Sequence, residues 1–156
     1  MEFAPILTAL AREMRIDLTD AIATGSCTLA FNTGKPGQPL EISVEASEQD
    51  GVSKSLMHLH AVIGDAPNVG AETLFGRLLN MHVLGLATMQ GMFGYDPALR
   101  RILFFRSLSL PAMTQDAVLS AMETFVNQAE RWRDHLPTLA ASQEPVTVLP
   151  DFLRMA

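Results

Sequence analysis

Residues 74–111 have the sequence LFGRLLNMHVLGLATMQGMFGYDPALRRILFFRSLSLP. The first part carries apolar residues on nearly every side of a helix, which predicts a helix from about residue 71 that is buried over most of its surface. A strand over about residues 87–95 is predicted next, followed by an Asp-Pro turn and a second strand over 99–106. The stretch therefore predicts an apolar helix followed by two strands.

The second of these strands is apolar on both faces in its middle. Leu103 and Phe105 lie on one face, and Ile102 and Phe104 lie on the other. A strand with one face in water alternates between apolar and polar residues. We therefore expect one face to pack on the protein's own helices and the other to contact a second chain.

The arginines of this strand predict which face is outward. Arg100 and Arg106 lie on the same face as Ile102 and Phe104. Protein interfaces have an apolar centre surrounded by a polar rim. We therefore expect Ile102 and Phe104 to face outward.

The chain before residue 71 predicts one helix and three strands. Apolar residues recur at helical spacing over 3–14. Alternating segments at about 27–31, 40–46 and 54–63 are typical of strands joined by turns. The clearest alternation is LEISVEA, whose glutamates we expect to face water. These segments predict an antiparallel meander.

The chain after residue 111 predicts a final helix and a tail. Thr114 is the expected N-cap, and an apolar seam extends from Val118 to Leu136. Pro137 is expected to end the helix. The element order α-βββ-α-ββ-α predicts an α+β fold with a twisted antiparallel sheet and flanking helices. We expect one domain over residues 1–136, with the tail 137–156 flexible or packed on it.

Composition limits the class of protein. The 156 residues include 48% hydrophobic ones, as in folded globular domains. The net charge of −6, with only 11 lysines and arginines, argues against a nucleic-acid partner. The single cysteine fits a reducing compartment, and no apolar run has the length of a membrane span. We therefore expect a cytoplasmic protein that does not insert into membranes.

Few residues suggest chemistry. His58 and His60 share a face of a predicted strand, as two metal ligands can, but no further ligand motif accompanies them. Histidines on a half-exposed sheet face are the favoured interpretation. Cys27 lacks a neighbour that would activate it, which favours a small buried side chain over a nucleophile. We therefore predict no catalysis, no cofactor and no metal.

Four segments resemble one known family: SCTLAFN, LEISVEA, residues 74–111 and FVNQAERWRDHL. Within 74–111, the matching features are Asn80 in a leucine-rich helix, the turn at Asp96 and Pro97, and the Leu-Pro exit of the last strand. Over residues 3–136 the sequence resembles the class I type III secretion chaperones of the CesT (Tir chaperone) group.

The resemblance implies a small, acidic, cytoplasmic bacterial homodimer. Such chaperones bind the N-terminal segment of a secreted effector in an extended, secretion-competent form, by strand addition and pocket filling. The positions implied for effector binding are Leu7, Leu10, Met14, Leu29, Ile102 and Phe104. The positions implied for the dimer interface are Leu74, Leu78, Met81, Met89 and Phe93.

Two other functions stay open at the level of sequence. One is a small dimeric binding or sensory domain of the same fold without a secretion role, since a fold does not fix a function. The other is a metal-dependent enzyme that uses His58 and His60.

Overall fold

Five strands among the described residues form one antiparallel sheet. The computed structural model describes residues 2–33, 37–49, 51–82 and 88–142. The strands are β1 (Ser26–Phe31), β2 (Leu40–Gln49), β3 (Val52–Asp65), β4 (Met92–Asp96) and β5 (Arg101–Ser109). Their order across the sheet is β1-β2-β3-β5-β4, so β1 and β4 are its edge strands.

Helices precede, interrupt and follow the strands. They are α1 (Phe3–Met14), α2 (Thr19–Thr24), α3 (Ala71–Met81) and α4 (Gln115–Ala141), with a 3₁₀ turn at Leu110–Ala112. The predicted α+β class and the order of the longer elements are confirmed. The short helix α2 was not predicted, because six residues show too little periodicity to reveal a helix.

The core lies between one face of the sheet, here called the inner face, and the helices. On β2 and β3 the inner residues alternate along each strand, as the sequence predicted. Val44 pairs with Leu59, and Ala46 pairs with Met57. The largest fully buried side chains come from α1, the inner face, α3 and α4: Phe3, Ile6, Leu7, Leu40, Ile42, Met57, Leu59, Ile63, Leu74, Ile102, Phe104 and Phe125.

The direction predicted for β5 is wrong. Ile102 and Phe104 are each 1% exposed and lie on the inner face, whereas Leu103 and Phe105 lie half-buried on the opposite, outer face. The arginines misled the prediction because Arg106 is not part of an outer rim. It is half-buried beside the turn before β4, where its Nη2 donates a hydrogen bond to Gln90 Oε1 at 2.8 Å.

The final helix begins where predicted but continues beyond its predicted end. The Thr114 hydroxyl accepts a hydrogen bond from the Ala117 N–H at 3.3 Å, as an N-cap does. Pro137 lies inside α4, which continues to Ala141. The extra turn is held by Arg77 of α3, whose Nη1 donates to the Leu139 carbonyl at 2.6 Å. This tertiary contact offsets the hydrogen bond that proline cannot make.

Some predictions lie partly outside the described residues. The predicted middle helix is observed to Met81, and its apolar positions 83, 84 and 86 fall outside the description. The predicted strand over 87–95 is observed as β4, with residues 88–90 in a turn. Residues 143–156 of the predicted tail also lie outside the described part of the chain.

Candidate functional site

An open groove lies between α1 and α4, with a volume of about 560 Å³. We call it the α1–α4 groove. On α1 its residues follow the spacing i, i+3, i+4, and on α4 they extend over almost three turns, so each helix presents a continuous stripe. Its apolar lining is formed by Leu10, Met14, Phe31, Leu119, Met122 and Val126.

The apolar lining remains accessible because only some of its side chains are buried in the core. Leu10 and Met122 are buried, while Met14, Leu119 and Val126 are half-buried. Methionine side chains adapt to partners of different shape, because they are unbranched and polarisable. The groove can therefore accept apolar side chains of a second molecule without a large rearrangement.

An edge strand leads into this groove. Within the described part of the chain, β1 pairs with β2 alone, and its last residue, Phe31, lines the groove. The other edge of β1 presents backbone N–H and C=O groups that an extended peptide can pair with. Strand pairing and pocket filling are thus available side by side.

The predicted effector-binding residues fall into two groups. Leu10 and Met14 line the α1–α4 groove. Leu7 and Leu29 are 0% and 2% exposed, and like Ile102 and Phe104 they belong to the chain's own core. These four side chains present almost no surface to a partner in this conformation. The α4 residues of the groove were not predicted to bind a partner, because the apolar seam of α4 resembles that of any helix that packs on a sheet.

A second apolar surface surrounds the edge strand β4. Phe75 and Leu79 lie one turn apart on α3, and the Phe75 ring is 4.8 Å from that of Tyr95 on β4. Leu79 is 64% exposed, and Tyr95 and Met92 are 41% and 43% exposed. We call Phe75, Leu79, Tyr95 and Met92 the β4 surface.

The residues predicted for a dimer interface lie beside this surface rather than on it. Leu74 and Leu78 are 1% and 3% exposed and pack in the core. The exposed stripe of α3 is displaced by one position, to Phe75 and Leu79. A sequence that is apolar on nearly all sides does not indicate which stripe faces inward.

The remaining predicted interface residues differ in exposure. Met81 is half-buried, and Met89 is 50% exposed in the turn before β4. The Phe93 ring lies edge-on to that of Trp132, with ring centres 5.0 Å apart, and is half-buried within its own chain. Their roles in dimerisation stay predictions.

The sequence identifies the family. The family model of the Tir chaperone protein (CesT) family matches residues 6–133, which are 128 of the 156 residues. The chain belongs to the Tir chaperone protein (CesT) family. The predicted family is therefore confirmed, and the family is one of chaperones. No curated protein matches the chain significantly in sequence.

Solved structures with the same fold include three complexes. The ExsC-ExsE complex matches with a TM-score of 0.65 and 15% identity, over 91% of this chain and 100% of that one. The HopA1-SchA chaperone-effector complex matches with a TM-score of 0.58 and 12% identity, over 83% of this chain and 91% of that one. The heterodimeric ExoU-SpcU complex from the type III secretion system of Pseudomonas aeruginosa matches with a TM-score of 0.58 and 16% identity. The match covers 85% of this chain and 94% of that one. At these identities the shared feature is the fold.

The histidines of this CesT-family chain that were considered as metal ligands have other partners. His58 Nε2 is 2.8 Å from Ser47 Oγ, and its Nδ1 is 2.8 Å from Ser107 Oγ. His60 Nε2 lies 3.6 Å from a carboxylate oxygen of Glu45. No group of three or more metal-ligating side chains occurs within the described residues. Within the described residues, the ring nitrogens of His58 and Nε2 of His60 thus lie beside serine hydroxyls and a carboxylate.

Two further findings concern Cys27 and the helices. Cys27 is half-buried rather than buried, and this burial raises the pKa of its thiol, which lowers the fraction of reactive thiolate. None of the helices in the described part of the chaperone has the length and apolar character needed to cross a membrane.

His82 links α3 to β4 at the side of the β4 surface. Its Nε2 accepts a hydrogen bond from the Phe93 N–H at 2.8 Å, and its ring stacks on the Phe93 ring with centres 5.2 Å apart. Only a neutral imidazole can accept this bond. Burial lowers the pKa of His82 below its usual 6.5, which also favours the neutral form.

Replacing His82 with glutamine is expected to weaken the dependence of stability on pH. Because the folded pKa is lowered, the contribution of neutral His82 is present above pH 6.5 and is lost as pH falls through the folded pKa. One neutral hydrogen bond contributes about 1 kcal/mol. Urea unfolding at one pH above 6.5 and at one pH below the folded pKa of His82 measures this contribution.

His135 provides the matched control for this experiment, because it is an exposed histidine near the end of α4. We expect His135→Gln to keep the wild-type loss of stability in acid and His82→Gln to show a smaller loss. An equal acid loss in wild type and His82→Gln would show that His82 does not contribute as described.

Proposed function

We propose that this protein is a cytoplasmic type III secretion chaperone that binds the N-terminal segment of a secreted effector in an extended, secretion-competent form. The observation that carries this proposal is the α1–α4 groove, which lies beside an edge of β1 that has no partner strand among the described residues. Membership of the CesT family and the fold shared with chaperone-effector complexes support it.

The proposed binding mode combines two kinds of contact. An extended segment adds a strand to this edge of β1 through backbone hydrogen bonds, and it places apolar side chains in the α1–α4 groove. The backbone contacts tolerate many sequences, while the groove selects apolar residues at particular positions. A segment held in this way keeps its apolar residues covered without folding into a domain of its own.

We propose that the chaperone acts by binding alone, without catalysis or a cofactor. Strand pairing and apolar burial need no chemical step, and their energy comes from the contacts themselves. Release of the effector then requires only competition for those contacts, so we expect binding to be independent of added nucleotide.

We further propose a homodimer that buries the β4 surface. β4 is an edge strand with exposed apolar side chains on both faces, since Tyr95 faces the helices and Met92 pairs with Phe105 on the outer face. Such an edge promotes association unless it is covered. A two-fold axis beside β4 brings Leu79 of one protomer against the β4 surface of its partner.

Co-expression with the N-terminal segment of a secreted protein encoded beside this gene tests the proposed function. We expect a soluble complex that survives purification without nucleotide. Met14→Glu, which places a charge in the α1–α4 groove, is expected to prevent its formation, because the carboxylate loses its hydration when the groove is filled.

Leu99→Glu is the matched control for this substitution. Leu99 is 60% exposed in the turn between β4 and β5 and does not line the groove. This variant is expected to retain the complex, and circular dichroism checks that both variants fold. Retention of the complex by a folded Met14→Glu protein would argue against the groove as the binding site.

A further inference from the structure

We infer that the α1–α4 groove selects effector segments whose apolar residues are flanked on both sides by lysine or arginine. This inference rests on the proposed function, since it names the chemistry of the bound segment. It depends on the charges around the groove rather than on its apolar lining.

Three carboxylates surround the apolar lining. Glu13 lies on α1, and Asp116 and Glu123 lie on α4. All three residues are exposed, and none has an ion-pair partner among the described residues. The described residues that line the groove include neither lysine nor arginine. The rim of the groove is therefore acidic along both walls.

The spacing of the carboxylates sets the length of the apolar anchor. Asp116 and Glu123 are seven residues apart, which places them on the same side of α4 at a separation of about 10 Å. About three residues of extended chain span this distance. A segment with a short apolar anchor and a basic residue at each end thus brings each positive charge near a carboxylate, while Glu13 attracts the same charges from the facing wall.

Two other occupants of the groove are disfavoured. Residues 143–156 of this chain contain two acidic residues, Glu144 and Asp151, and one basic residue, Arg154, so the net charge of the segment is −1. A second copy of the chain has a net charge of −6, and the proposed homodimer places it at the β4 surface rather than in this groove. An acidic rim repels the tail segment, whereas a basic-flanked segment is attracted and also guided to the groove from solution.

Binding of three labelled peptides tests the inference. The peptides share one apolar centre and differ only in flanking residues, which are lysine, glutamine or glutamate. At low salt we expect the lysine-flanked peptide to bind at least about tenfold more tightly than the glutamate-flanked one, measured by fluorescence anisotropy. The difference is expected to shrink at high salt, because exposed charges are screened.

Two variants locate the effect. The triple variant Glu13→Gln, Asp116→Asn, Glu123→Gln is expected to lose the preference for lysine flanks, so that the three peptides bind it with similar affinities. Glu41→Gln, Glu45→Gln is the control, since these exposed glutamates lie on the outer face of β2. This control is expected to retain the preference.

The outcomes separate this inference from the proposed function. Equal binding of all three peptides to the wild type, or an unchanged preference in the triple variant, would overturn the inference and leave the groove as an apolar binding site. Absence of binding by every peptide would contradict the proposed function of the groove itself. Tighter binding of a peptide with the sequence of residues 143–156 would identify this chain as the occupant and would also overturn the inference.

Discussion

Replacing Phe104 with alanine is expected to lower the free energy of unfolding by about 3–5 kcal/mol, the usual cost of truncating a buried phenylalanine. Phe104 is 1% exposed, and its ring stacks on that of Phe125 with centres 5.3 Å apart. Gly91 lies so close that a Cβ at that position would overlap the Phe104 ring. Because neighbouring groups pack closely around the Phe104 ring, the cavity left by its removal cannot collapse fully.

Phe105 offers the matched control, because it is the same residue type one position away on the outer face. Phe105→Ala is expected to cost about 1 kcal/mol, as for a half-buried side chain. Urea unfolding at one fixed protein concentration measures both values, since the stability of a dimer depends on concentration. Equal losses for the two variants would contradict the observed direction of β5.

Replacing Leu79 with aspartate is expected to dissociate the proposed homodimer. The substitution introduces a charge into the most exposed side chain of the β4 surface, and two-fold symmetry introduces it twice. We expect the dissociation constant to rise by at least about 30-fold, as for a central interface residue. Light scattering measures the fall in molecular mass from that of the dimer, twice 17.0 kDa, to the 17.0 kDa of the monomer.

Val52→Asp controls for the effect of an added surface charge. Val52 is 53% exposed at the start of β3, whereas α3 follows the other end of that strand. This variant is expected to remain dimeric. A wild-type protein that is monomeric at micromolar concentration, or a Leu79→Asp protein that dimerises like the wild type, would contradict the proposed interface.

The parts of the fold that were predicted correctly are those with one clear periodicity. LEISVEA alternates strictly and forms β2, and residues 3–14 follow one helical stripe and form α1. Both patterns are determined by which side of the element faces the core, so they are visible in the sequence. The hydroxyl of Thr114 likewise marks the start of α4 by a local hydrogen bond.

The parts that were predicted incorrectly depend on contacts distant in sequence. β5 is apolar on both faces, so its direction is decided by packing on Phe93 and Phe125 rather than by alternation. The helix α4 passes through Pro137 because Arg77 binds its last turn. Neither contact has a signal in the local sequence.

The binding surfaces were only half predictable for the same reason. Leu10 and Met14 were identified from the first helix, but the opposite wall of the groove is formed by α4, about one hundred residues later. The acidic rim exists only when Glu13 is brought beside Asp116 and Glu123. Such surfaces depend on tertiary structure, which sequence patterns do not specify.

Methyl NMR of the nine methionines tests most directly whether this protein binds effectors in the α1–α4 groove. On titration with the N-terminal segment of its secreted partner, we predict that the methyl signals of Met14 and Met122 shift, because both residues line the groove. The signal of Met57, which is 0% exposed in the core, is predicted to stay in place. Formation of the complex without shifts at Met14 and Met122 would contradict the proposed binding site.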